Sequence, residues 1–253
     1  MAFLNIGQGD AVYIQDTDGK SILVDAGPKD DGVLTRIQEV TRCDIVHIDT
    51  LLLTHPDADH IGEAERLIDK GLVGRVAQNG FMDIDQGDET LTENRLEAMN
   101  ILKMDVNTGD LLELKDIRIQ ILYPNDEPYG TTTKKGKVDD NLYSVVTKVV
   151  SKKESFLLTG DAPISVEKKL IAKYEHILDS DVLKLGHHGS KGSTDQGFLS
   201  IVSPDEVVVS AGKDNKYHHP NEETLNRVAE QQRKKPLRIR ETFTEGNIIY
   251  YLD

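Results

Sequence analysis

Residues 51–62 read LLLTHPDADHIG, an apolar run that breaks into two histidines and two aspartates within six positions. The run fits a buried strand, and the proline turn behind it fits the entry to a helix. One side chain is enough to cap that helix, and Asp59 could do so for a helix beginning near Ile61. Four residues of ligand type, His55, Asp57, Asp59 and His60, are more than capping needs. In an extended loop positions 55, 57 and 59 project to similar sides while 59 and 60 diverge, so one loop can feed two metal ions. Imidazole and carboxylate donors without thiolate suit zinc, manganese or iron; the aspartates harden the set toward manganese or magnesium, and the histidines keep zinc in range.

Outward from this stretch, short aliphatic and β-branched runs predict strands at 11–15, 21–25, 50–53, 117–122, 143–150, 155–159, 181–185, 206–210 and 248–252. Helical spacing appears at 33–40, 64–70, 93–102, 164–174 and 222–232. Strands that end in polar loops and lead into helices predict an α/β protein with helices packed on sheet faces. The polar residues recur at the strand ends: Asp25 in LVDAG, Asp161 in LLTGD, His187 and His188 in GHHGS, and His218 and His219 in YHHP. Six of the eight histidines sit in three of these loops. In open α/β sheets ligands gather outside the carboxyl ends of strands, so the loops can converge on one place. Asp161 could simply cap a helix near Pro163; it could also bridge two ions with its two oxygens, with Gly160 permitting the sharp turn before it. Of His187 and His188, framed by Gly186 and Gly189, one is expected on a metal and the other on substrate or steadying its neighbour.

The chain of 253 residues can bury a sizeable core, and with no linker rich in Pro, Gly or Ser it reads as one domain over 1–253. Its apolar runs are far shorter than the roughly 20 residues of a spanning helix, so no membrane partner is expected. The first residues, MAFLNIGQGDAVYIQ, lack the pattern of a secretory signal, and a cytoplasmic location is expected. One cysteine, Cys43, excludes an intramolecular disulfide and reads as a small core residue. The formal net charge of −14 argues against coating duplex nucleic acid through a broad basic face. It does not exclude phosphate esters, because carboxylates counted as negative form a cationic site once they hold divalent ions. Lys134, Lys135 and Lys137 lie in one segment, and Lys184, Lys191, Lys213 and Lys216 flank the histidine loops; each alone reads as a solvated surface charge. Segments 125–138 and 81–89 read as rim loops, the first as a mobile insertion.

GQGDAVYI, ILVDAG, LLLTHPDADHIGE, LLTGD, LKLGHHGSKGS and SAGKDNKYHHP, in this order, resemble the metallo-β-lactamase fold. They are more closely similar to the branch found as the C-terminal hydrolase domain of competence DNA-uptake proteins (ComEC-like) and its free-standing relatives. The resemblance, from about residue 3 to 220, implies a four-layer αββα sandwich with two divalent metal ions, zinc or manganese, along the top edge of two sheets. His55, Asp57, Asp59, His60, Asp161 and one of His187 and His188 match its metal motifs, with His188 favoured for metal and His187 for substrate. Asp25 matches a position that orients the first metal loop, and Gly7 to Asp10 a loop beside the site. Two residues depart from the wider superfamily. Asp57 stands where histidine is usual, as it does in the competence-type branch, and a further histidine is missing, with Asn141 of DDNLYS in its approximate place. Asn141 and His218 are therefore candidates for metal or substrate. The expected activity is metal-dependent hydrolysis of a phosphodiester in DNA, RNA or a nucleotide, with Asp59, His187 and His219 assisting catalysis. An ester, thioester or phosphocholine-type hydrolase, and a non-catalytic binding module with a degenerate metal site, are the alternatives.

Overall fold

Leu51, Leu52 and Leu53 divide between two cores: Leu52 packs into a cluster drawn from two facing sheets, while Leu51 and Leu53 join the cluster beneath helices. This period of two is what a strand buried on both faces requires. The computed structural model describes residues 1–29, 32–79, 93–124 and 139–252, and the two rim segments expected at 81–89 and 125–138, with Lys134, Lys135 and Lys137, lie outside them.

Two seven-stranded sheets face each other. The first contains β1 (Ala2–Phe3), β2 (Val12–Gln15), β3 (Ser21–Val24), β4 (Thr50–Leu52), β5 (Arg75–Gln78), β6 (Leu102–Asp105) and, beyond β1, the last strand β14 (Ile248–Ile249). The second runs from β7 (Leu111–Glu113) through β8 (Arg118–Tyr123), β9 (Val146–Val150), β10 (Ser155–Leu158), β11 (Val182–Lys184) and β12 (Glu206–Val209) to β13 (Arg238–Glu241). Strands β3 to β6 are parallel, as are β10 to β13, with Leu23 beside Leu51 and Leu157 beside Leu183. Phe3, Val12, Leu52, Ile119, Val149 and Phe156 fill the space between the sheets.

Helices cover the outer faces. On the first sheet α1 (Val33–Thr41), α2 (Ala58–Ile61), α3 (Ala64–Asp69) and α4 (Glu93–Ala98) supply Val33, Ile37, Ile61, Leu67 and Leu96 to one cluster. On the second α5 (Ile164–Tyr174), α6 (Gln196–Val202) and α7 (Glu222–Lys234) supply Val166, Phe198 and Val228 to another, with α8 (Thr242–Glu245) following β13. The result is the expected four-layer αββα sandwich. Among the described residues no helix is long and apolar enough to cross a membrane.

The sequence period leaves out β1, β5, β6, β7 and β13. Of these β6, β7 and β13 lie at sheet edges, where charged residues on a short strand protect unpaired backbone and erase the apolar alternation. The helix expected at 93–102 ends at Ala98, and Leu102 begins β6. Cys43, expected in the core, is exposed; it follows the left-handed turn that ends α1 at Arg42 and precedes the next buried residue, Val46.

Candidate metal centre

The parallel strands aim their carboxyl ends at one edge of the sandwich, which brings together residues far apart in sequence. From the first sheet come Asp25 after β3 and the 55–60 loop after β4. From the second come Asp161 after β10 and the two histidines after β11. The capping alternatives do not describe this loop. Asp57, not Asp59, occupies the N-cap position of α2, and it makes no side-chain capping bond; Pro163 holds that position for α5.

Asp25 organises the first half. It adopts a left-handed backbone with φ of 58°, unusual for a residue other than glycine. Its Oδ1 accepts the Thr54 N–H and its Oδ2 the Thr54 hydroxyl, both at 2.8 Å, and Oδ2 also lies 2.7 Å from His60 Nδ1. Because Thr54 gives its hydroxyl proton to Asp25, its oxygen is left to accept from His55 Nδ1 at 2.9 Å. His188 Nδ1 lies 2.9 Å from the Ser210 carbonyl, which can only accept. All three imidazoles thus place a proton on Nδ1 and turn Nε2 inward, the tautomer and orientation that metal-binding histidines need.

Asp161 stands between two groups of these atoms. Gly160, with φ of 49°, makes the turn, and a Cβ there would lie 2.3 Å from Ser144 Oγ; that same hydroxyl accepts the Asp161 N–H at 2.9 Å. Oδ1 of Asp161 is 3.2 Å from His60 Nε2 and 3.6 Å from His188 Nε2. Oδ2 is 3.8 Å from His55 Nε2 and 3.5 Å from His187 Nε2. Asp57 Oδ2 completes the second group at 3.5 Å from His55 Nε2, and Asp59 Oδ2 lies 3.4 Å from His188 Nε2 in the first. Ligand atoms of Asp10, His60, Asp161 and His188 fall within 4.8 Å of one another, as do those of His55, Asp57 and Asp161. Asp10 faces the Nδ1 edges of His60 and His188, at 3.9 and 3.4 Å, so its place is behind the imidazoles, and Asp59 is the carboxylate on their inward side.

The donor set fits divalent metal. His55 Nε2, Asp161 Oδ1 and Asn141 Oδ1 are buried without a hydrogen bond, a costly state unless a cation meets them. Burial alone would lower the basicity of His188, but the carboxylates of Asp161 and Asp10 overcome it and push the group up to about 9. His60 is likewise held well above its ordinary value by Asp161 and Asp25, against burial. Burial would raise Asp161, yet His188 and His60 hold it well below the usual carboxylate range. The cluster therefore attracts positive charge, and its oxygens and imidazoles are the donors that zinc and manganese accept.

Of the other expected residues, Asn141 lies in a 3-10 turn before β9, with Nδ2 3.5 Å from His187 Nδ1. His187 and His188 both take left-handed backbone angles, φ 49° and 55°. His188 is buried and His187 is 32% exposed at its side chain, toward the opening. His219 reaches the rim, its ring 5.5 Å from that of His187. His218 is exposed, its backbone N–H donating to the Asn215 carbonyl. Lys184, expected on the surface, is 2% exposed and pairs with Asp10 at 2.5 Å. On β11 it is in phase with Val182, which faces the other sheet; that alternation was the available signal. Thr54, Ser144 and Ser210 complete the support and carry no signature of their own.

Residues 4–122 match the family model for the metallo-beta-lactamase superfamily. ComE operon protein 3 of Bacillus subtilis (strain 168) is 33% identical over 98% of this chain and 32% of its own length. Competence protein ComA of Neisseria gonorrhoeae is 29% identical over 88% of this chain and 28% of its own. The metallo-beta-lactamase fold protein YhfI from Bacillus subtilis superposes with a TM-score of 0.58 at 13% identity, covering 94% of this chain and 95% of that one. The chain has a metallo-β-lactamase superfamily fold. It spans about a third of the length of the curated relatives it matches. The family match ends at 122, and the second-sheet residues Asp161, His187 and His188 fall within the 98% of this chain aligned to ComE operon protein 3.

Proposed function

We propose that this metallo-β-lactamase fold is a metal-dependent phosphodiesterase acting on DNA, RNA or a nucleotide. The observation that carries the reading is Asp161, whose two oxygens face two separate histidine and aspartate groups. His60, His188, Asp59 and Asp161 Oδ1 would hold one divalent ion; His55, Asp57 and Asp161 Oδ2 would hold a second, and Asn141 Oδ1 is buried without a hydrogen bond. Two such ions supply Lewis acidity, a water of lowered pKa, and a charge that exceeds the three inward carboxylates by about one unit, which suits an anionic ester.

The chain's own groups divide the remaining work. Asp25, Thr54 and Ser210 fix the inward imidazole edges, and Lys184 offsets Asp10 behind them. His187 turns Nε2 toward Asp161 Oδ2 at 3.5 Å, and in the orientation present Asn141 Nδ2 faces its Nδ1, which places the proton on Nε2, where a phosphate oxygen or a leaving alkoxide held at the centre would meet it. Burial, with repulsion from His187 and His188, brings His219 down to about 4. At neutral pH it is an uncharged ring that positions substrate. The resemblance of its motifs to the hydrolase domain of competence DNA-uptake proteins supports a nucleic-acid substrate. The concavities at Tyr250 to Leu252 and at Leu96 to Lys103 contain none of the site residues, so neither offers an apolar pocket beside the reacting centre. The test is hydrolysis of a chromogenic phosphodiester and of single-stranded DNA with manganese, by the wild type and Asp161→Ala. Equal rates for the two would sink the reading.

A further inference from the structure

Tyr217 stands at the rim with half its surface exposed, 50%, and it belongs to a series of rings. It stacks on His219 at 5.7 Å and 23°, His219 meets His187 edge-on at 5.5 Å, and His187 Nε2 lies 3.5 Å from Asp161 Oδ2. Three rings therefore lead from the inward carboxylate to solvent. Asn215 knots the loop that carries the outer two. Its Oδ1 accepts the N–H groups of Tyr217 at 3.1 Å and His219 at 3.0 Å, and its Nδ2 donates to the carbonyls of Gly212 at 2.9 Å and His219 at 2.5 Å. A loop ordered before binding loses little freedom when a ligand arrives. Lys216 Nζ sits 4.8 Å from the Tyr217 ring centroid. Lys216 lies over the ring, so a base that settles on the half-exposed Tyr217 displaces the ammonium toward its own phosphate; an aromatic ring paired with a cation is the combination by which proteins hold unpaired nucleotides.

We propose that Tyr217 is the platform on which a nucleobase of the substrate stacks, with Lys216 against an adjoining phosphate; this rests on the phosphodiesterase reading above. Stacking needs a base with a free face. The favoured substrates are then single strands, strand ends and free nucleotides, in preference to duplex interiors, and base identity matters little because every base has a π face.

The test is equilibrium binding to the manganese-loaded full chain of adenosine monophosphate and of ribose phosphate, which keeps the phosphate and lacks the base. One stacked base makes adenosine monophosphate the tighter ligand by about 5- to 150-fold in the wild type. Tyr217→Phe keeps that advantage. Tyr217→Ala removes it, bringing adenosine monophosphate to the affinity of ribose phosphate. If the wild type shows no advantage, or if the advantage survives Tyr217→Ala, the platform is overturned and the phosphodiesterase reading stands. Binding of neither ligand overturns both.

Discussion

The two halves of the metal centre are built differently. In the inner half His60 and His188 are buried, and each has its outer nitrogen pinned, by Asp25 and by the Ser210 carbonyl. In the outer half His55 alone is pinned in this way, Asp57 is half-buried, and Asn141 takes the approximate sequence place of a histidine that the family resemblance leads one to expect. Supporting partners typically account for 10- to 100-fold in metal affinity, so on the two-ion reading proposed above the halves should be unequal, with the inner site filling first and the outer one only when metal is plentiful.

Removing the shared residue breaks the comparison altogether. Asp161→Ala should lower phosphodiester hydrolysis by about 10³-fold or more and leave less than one ion per chain by elemental analysis, since both halves lose a ligand. Asp25→Asn should act directly on His60 in the inner half and only through Thr54 on His55 in the outer, weakening the tighter of two metal-binding steps by about 10- to 100-fold in calorimetric titration and the weaker step by less. An equal loss in both steps would show that the halves are not independent. Asn141→His addresses the outer half, and should tighten the weaker step by about tenfold while leaving the tighter one where it was.

The smallest expected effect is on pH dependence. His188 has a folded-state value of about 9 against an ordinary 6.5, and His60 is shifted in the same direction. In the metal-free chain the contribution of His188 to stability is complete below about 6.5 and disappears as pH rises through 9, and that of His60 is lost in the same direction. Melting temperature should therefore fall over that interval without metal and hold steady with it, because bound metal takes the place of those protons. A metal-loaded chain that shows the same fall would place the ions elsewhere.

Much of this was legible in the sequence because the chemistry of the site overrides the plainer use of its residues. THPDADH spends four ligand-type side chains where one cap would serve, and GHHGS pairs histidines between glycines. Asn141 was found by its place in the order of motifs, since an asparagine before a strand has no meaning of its own. Lys184 escaped because a lysine is ordinarily a surface charge; only its phase with Val182 on a three-residue strand gives it away. The edge strands escaped because LKMD and RIRE are charged where interior strands are apolar. Nothing in KYHHP sets Tyr217 apart from the two histidines that follow it.

The Asp10 to Lys184 pair crosses between the two sheets at this edge, as do the contacts of His60 and His55 with Asp161. The candidate ligands divide the same way, with His55, Asp57, Asp59 and His60 following β4 and Asp161 and His188 following β10 and β11. Any ion held here is consequently a rivet through the seam of the sandwich, and a chelator should loosen the joint between the halves as well as stop the chemistry.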